Sequence, residues 1–296
     1  MKMTSLGKKN LKISFYTTCM GRLKHVKRTL PKNIEENKDY DNCEFVILDY
    51  NSPDGLANWI VDNFKEHLVS GKVKLYRTEE PLYFSHNHAK NMAAKQCIGD
   101  ILCGIDADNF TALGPDDWGL AKRLNYLFHK HEKEKIFVRA YGWDDKELAW
   151  SSSSTYRYYS SSGKIAVRKK DFMEAGGYNE NLKGHYFDEE ELWKRIKECF
   201  GFRHIKLDAS YSKAINHSNY ERLKNLSPEL VDFKALNDAR IKNPSHVNSM
   251  YMKDGWVRKY YSHGLENQEL MADIIKNKTK NPNGNSWGEG KVERIK

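Results

Sequence analysis

The sequence predicts an α/β fold whose first half is a parallel sheet built from strand–helix units. Two observations carry this. Short apolar runs of strand length alternate with segments of helical periodicity. The strands also end in polar turns, so those turns gather on one edge of the sheet, where α/β folds bind their ligands.

Leu11 to Thr17 reads as the first strand, and Val26, Leu30 and Ile34 then recur at helical spacing. Glu44 to Asp49 is the second strand, followed by an Asn51 to Gly55 turn and a helix through Trp59, Ile60 and Phe64. Val73 to Tyr76 gives a third strand and His88 to Gln96 a helix. A fourth strand, Ile101 to Ile105, runs straight into Asp106-Ala107-Asp108. The polar turns at Cys19 to Arg22, Asp49 to Asp54 and Asp106 to Asp108 thereby share an edge. In the second half, Ser151 to Ser162 is nearly all Ser, Thr and Tyr and reads as a mobile loop. A strand at Ile165 to Arg168, a Gly176-Gly177 turn, an acidic helix start at Asp188 to Glu191 and a strand near His204 to Leu207 follow. Periodicity weakens after Asn219, and Asn281 to Asn285 with the charged residues beyond it reads as a loose tail. The expected organisation is a catalytic domain over residues 1–218 and a partly irregular extension over 219–296.

Composition narrows the function classes. The chain has 296 residues, 39% of them hydrophobic, which is enough for a core. No apolar stretch approaches the roughly 20 residues that span a bilayer, so a cytoplasmic protein is expected. The five cysteines, Cys19, Cys43, Cys97, Cys103 and Cys199, are scattered and read as buried thiols in a reducing compartment. A formal charge of +9 favours polyanionic partners such as a nucleotide diphosphate, an acidic glycan or nucleic acid. The lysines are spread along the whole chain, however, and a solvated surface accounts for them equally well.

The pair Asp106 and Asp108 emerges from a buried strand with its carboxylates one residue apart. Two hard oxygen ligands at that place suit Mg²⁺ or Mn²⁺ shared with substrate phosphates; a plain strand-to-loop turn is the structural alternative. No G-x-G-x-x-G follows any strand, which argues against a dinucleotide-binding dehydrogenase.

Four segments, in order, resemble family 2 glycosyltransferases of the GT-A fold. Ser14 to Arg22, S-F-Y-T-T-C-M-G-R, resembles that family's first strand and loop. Ile47 to Gly55, I-L-D-Y-N-S-P-D-G, resembles its second-strand turn, and Ala89 to Ala93, A-K-N-M-A, its A-R-N helix. The Asp106-x-Asp108 motif completes the nucleotide-binding half. Gly176-Gly177-Tyr178, then Gly184 to Glu191 and Ile215 to Ser218, extend the likeness toward the β-1,4-galactosyltransferase-like branch. In this chain His185 stands for that branch's tryptophan, Asp188-Glu189 for its Glu-Asp, and Tyr50 for the second Asp of the second-strand turn.

The resemblance implies a metal-dependent, inverting transfer of sugar from a nucleotide-sugar, expected to be a UDP-sugar, to a hydroxyl acceptor such as a saccharide or glycoconjugate. It implies Asp108, Asp106 and His217 as ligands of Mn²⁺ or Mg²⁺, with Asp106 supporting the ion or touching the ribose. Glu189 is the first choice of general base and Asp188 the second. Asp49 and the Cys19 to Arg22 loop face the base, and Arg22 and Lys90 the diphosphate. The acidic residues from Asp188 to Glu191 are also what a helix dipole favours in its first turn. Three alternatives stay open: transfer to hydroxymethylated bases in DNA, a nucleotidyltransferase, and a non-catalytic nucleic-acid-binding module.

Overall fold

A computed structural model describes residues 9–140, 156–157, 163–185, 187–217, 221, 223–231, 233–234 and 255–296. The first half alternates as expected. Strands β1 (Ile13–Cys19), β2 (Cys43–Tyr50), β3 (Val73–Thr78) and β4 (Ile101–Gly104) are joined by α1 (Leu23–Glu36), α2 (Leu56–Asn63), α3 (Lys65–Ser70) and α4 (His86–Gln96). All four strands run parallel, with β1 between β2 and β4. Every residue of β2 is buried, which suits a strand with helices on both faces.

The second half supplies α5 (Leu120–Lys130), β5 (Ile136–Arg139), β6 (Tyr156–Arg157), β7 (Ile165–Arg168), α6 (Lys169–Glu174), α7 (Asp188–Phe200), β8 (Arg203–Lys206), β9 (Ala214–Ile215), α8 (Gly255–Lys276) and β10 (Glu293–Ile295). One eight-stranded mixed sheet results, in the order β10-β3-β2-β1-β4-β7-β5-β8. Strand β7 lies antiparallel to both β4 and β5.

Side chains alternate across this sheet, so each strand feeds two cores. Phe15, Phe45 and Ile47 pack on one face with Val26, Leu30, Leu56, Ile60 and Leu124. Tyr16, Val46 and Leu48 pack on the other with Met92, Ala93, Phe172, Leu192 and Ile196.

Two expectations change. Residues 281–296 are not a loose tail. Trp287 is buried against Phe172, with ring centroids 6.0 Å apart. Asn283 Nδ2 donates to the carbonyls of Gly176 at 2.8 Å and Tyr178 at 2.6 Å, and β10 pairs antiparallel with β3. The sequence pattern misleads because asparagine and glycine mark a turn whether or not the turn is bonded to something else. Within the segment read as a mobile loop, Tyr156–Arg157 forms a strand antiparallel to Ala214–Ile215; the rest of Ser151 to Ser162 lies outside the described residues, as do Ser218 and much of the extension. The five cysteines are free thiols, four of them buried. No helix among the described residues is long and apolar enough to cross a membrane.

Candidate active site

The strand ends converge as the topology requires, and the loop after β1 is tied to the turn after β2. Gly21 N donates to Ser52 Oγ at 2.8 Å, and Leu23 N to Asp54 Oδ2 at 2.7 Å. Asp49 is buried and accepts from Ser52 N at 2.7 Å, while Arg77 stands 4.0 Å away. Burial raises the Asp49 carboxyl above its ordinary range. Cys19 points into the core, where burial pushes its thiol up to about 12, so what it offers a ligand is backbone. Arg22 Nη1 lies 3.3 Å from His25 Nδ1. Tyr50 is buried too, and its hydroxyl is 2.7 Å from His88 Nδ1.

Asp106 and Asp108 leave β4 at the centre of this edge. Thr29 Oγ1 donates to the carbonyl of Ala107 at 2.8 Å, fixing the exit to α1. On the other side Ile215 N donates to the carbonyl of Asp108 at 2.8 Å, within a bridge that pairs Asn109 with Ala214. That bridge carries His217 to the motif, with Nε2 3.4 Å from Asp108 Oδ2. Asp106 is packed against Gly163, where an added Cβ would collide with its Oδ2; glycine there is what lets the carboxylate lie as it does.

Lys90, expected to face a diphosphate, has its ammonium among carboxylates. It donates to Glu189 Oε1 and lies 3.5 Å from both Asp106 Oδ1 and Asp188 Oδ2. Its burial would lower the lysine's proton affinity, but Asp106, Glu189 and Asp188 together raise it well above the ordinary value. Lys90 therefore stays charged. Burial and the neighbouring Glu189 push Asp188 well above the usual carboxylate range. Burial acts the same way on Glu189, but Lys90 outweighs it and holds that carboxyl down to about 2. Both acids open α7, where the unsatisfied amides of the first turn favour negative charge.

The structure thus joins Asp106 to Asp188 and Glu189 through Lys90, and Asp108 to His217. It places Cys19, Arg22 and Asp49 on the neighbouring strand ends.

Three residues at this edge went unnoticed in the sequence. His25 sits with its ring 5.5 Å from that of His217, and burial, with Arg22 beside it, drives its pKa down to about 3, so it stays neutral. Its position one residue before Val26, on the apolar stripe of α1, was the available signal. Lys164 is buried behind the motif and donates to the carbonyls of Phe110, at 2.6 Å, and Tyr211. Burial lowers it to about 8. His86, at the start of α4, groups with His185 and Asp188; nothing in its local sequence sets it apart.

A sequence profile of glycosyl transferase family 2 matches residues 14–179. No curated protein sequence matches the chain. Among solved structures, the mannosyltransferase PcManGT from Pyrobaculum calidifontis, in complex with GDP-Man and Mn²⁺, is similar at 19% identity and TM-score 0.51, over 68% of this chain and 55% of that one. S. aureus TarS 1-349, in complex with UDP-GlcNAc, is 14% identical with TM-score 0.51, over 90% and 72%. GalNAc-T7, with UDP, GalNAc and Mn²⁺, gives 14% and 0.51, over 91% and 58%. This chain therefore spans little more than half the length of two of these proteins. At such identities the likeness speaks for the fold, and the profile match, which covers more than half the chain, speaks for the family. It lends no support to the nucleotidyltransferase or the non-catalytic binding module: the chain belongs to glycosyl transferase family 2 and has the GT-A fold.

Proposed function

We propose that the protein is a metal-dependent, inverting glycosyltransferase that takes a nucleotide-sugar, a UDP-sugar first, and glycosylates a hydroxyl of a saccharide or glycoconjugate. The observation that carries this reading is the pairing of Asp108 with His217. Two ligand atoms 3.4 Å apart can share one ion at about 2.1 Å from each. Mn²⁺ or Mg²⁺ would be held by Asp108 and His217, with Asp106 as support. When bound, such an ion offsets the charge that develops on the departing diphosphate. PcManGT and GalNAc-T7, both solved with Mn²⁺, support the same reading.

The chain's own groups do the rest. Backbone of the Cys19 to Arg22 loop and the Asp49 turn receive the nucleotide, and Arg22 meets the diphosphate. The acceptor proton goes to the pair Asp188 and Glu189. Of the two, Asp188 is the candidate base, because Lys90 ties up Glu189; Glu189, the first choice on likeness to the family, then serves to hold Lys90. Lys90 sets the charge of the cluster and positions Asp106.

Asp108→Ala is expected to remove donor hydrolysis and transfer while leaving the melting temperature near the wild-type value, and excess chelator should do the same to the wild type. Full turnover in chelator would end the metal assignment. Product anomeric configuration, read by NMR, should be inverted relative to the donor; retention would mean that Asp188 and Glu189 act otherwise. A panel of nucleotide-sugars offered with glycans and with hydroxymethylated DNA, at low and moderate salt, identifies the acceptor. Binding to a polyanion would weaken steeply with salt.

A further inference from the structure

Beside the Asp108–His217 pair, the described residues bring together a second set of metal-binding side chains. His86 opens α4, His185 lies in the turn before α7, and Asp188 is the first residue of α7. One ligand atom from each lies within 4.8 Å of the others. His86 Nδ1 is 4.0 Å from Asp188 Oδ2. The imidazole rings of His86 and His185 stand 4.4 Å apart between centroids, tilted by 38°. Phe84 lies edge-on against His86, with centroids 4.6 Å apart, and restricts its ring.

We propose that His86, His185 and Asp188 form a second cation site, selective for an ion of the zinc class and distinct from the site of Asp106, Asp108 and His217. The donor set decides the class of ion. Two imidazoles and one carboxylate suit Zn²⁺ and leave a fourth, open position. The set of Asp106, Asp108 and His217, with two carboxylates to one imidazole, is richer in hard oxygen and suits Mn²⁺ or Mg²⁺. Three atoms at the observed spacing need only small side-chain rotations to reach a common ion at about 2.0–2.2 Å. His185 is partly exposed, which gives the ion a way in. Lys90 lies between the two groups, 3.5 Å from Asp106 and 3.5 Å from Asp188, so it separates their charges. Its hydrogen bond to Glu189 retains it when Asp188 turns to the ion.

An ion bound there takes the carboxylate to which the acceptor's proton was assigned, so zinc would stop transfer while the first site keeps its Mn²⁺. This consequence rests on the proposed role of Asp188; binding of the ion does not.

The test uses the full chain, stripped of metal and titrated with Co²⁺ as a spectroscopic stand-in for zinc. A d–d absorption band of a low-coordinate site is expected in the wild type and equally in Asp108→Ala. In His86→Ala and His185→Ala its affinity should fall by more than about 100-fold, the upper end of what losing an outer-shell partner costs. If His86→Ala fails to fold, His185→Ala, on a partly exposed turn, still decides the matter. A band untouched by either histidine variant, or absent from Asp108→Ala, or missing from the wild type, would overturn the site. In turnover assays at fixed Mn²⁺, added Zn²⁺ should inhibit the wild type but leave the remaining activity of His185→Ala unchanged. Cobalt binding as described with no zinc inhibition would uphold the site and refute the role given to Asp188.

Discussion

Helix α4 holds two neighbouring regions of the molecule by different chemistry. Lys90 gathers Asp106, Asp188 and Glu189 by charge. Turned to the chain's C-terminal segment, His88 and Lys95 bond to Glu289, and Asn91 bonds to Tyr178 and Glu180. Residues 281–289 reach the same Gly176-Gly177 turn through Asn283, while Arg195, fully buried and paired with Glu191 at 2.6 Å, donates to the carbonyls of Ala175, Gly177 and Lys280. The charged cluster concentrates its stabilisation in one ammonium, whereas the segment distributes its own over many amides and one indole. Losing one member should therefore hurt the first more than the second, above all in turnover.

Lys90→Met is the severest way to break that contrast. It leaves two buried acids facing each other without a cation, at a cost of about 3–5 kcal/mol, and should also abolish turnover. Thermal unfolding of this variant within a degree of the wild type would mean that charge does not hold the cluster. Trp287→Ala sharpens the comparison from the other side. It removes the largest apolar contact of the segment, including the Lys95 ammonium 4.8 Å over its ring. About 3 kcal/mol of stability should go, with the catalytic rate constant retained. A collapse in turnover without loss of stability would show that the segment acts on the chemistry directly.

The smallest effect concerns pH. Lys164 is held down to about 8 from an ordinary 10.5 because burial disfavours its charge. Between those values the unfolded chain binds a proton that the folded chain does not, so this group makes stability rise with pH across that window. Below about 8 the penalty of burying the charge is fully present. The gain across the whole window is on the order of 3 kcal/mol. Denaturation of wild type and Lys164→Met should differ in slope between pH 8 and 10, and parallel curves would refute the assignment.

How much of this was legible in the sequence follows from the same physics. Strands β1 to β4 announce themselves because side chains buried on both faces must be apolar, and the Asp106-x-Asp108 pair stands out because carboxylates directly after such a strand are unusual. The pairing of Asp108 with His217 came only from family likeness, since a short bridge at Ala214 leaves no pattern. Lys90 read as a cation for the diphosphate, with no sign of the carboxylates around it. Its partners lie far along the chain, and local sequence carries no trace of distant charge. The segment around Asn283 failed for a related reason: its bonds run from amides to backbone carbonyls, and every residue owns a carbonyl.

Strand β10 has a kinetic consequence. Glu293 pairs with Arg77, so the sheet closes its β3 flank only after a loop of roughly two hundred residues has been brought round, which places this pairing late in folding. Until then β3 presents unpaired amides and carbonyls that another chain could adopt. Once closed, the border is only three residues long and carries Glu293 and Arg294, a poor template for further strands. Refolding yield should therefore depend on protein concentration far more than the stability of the finished fold would suggest.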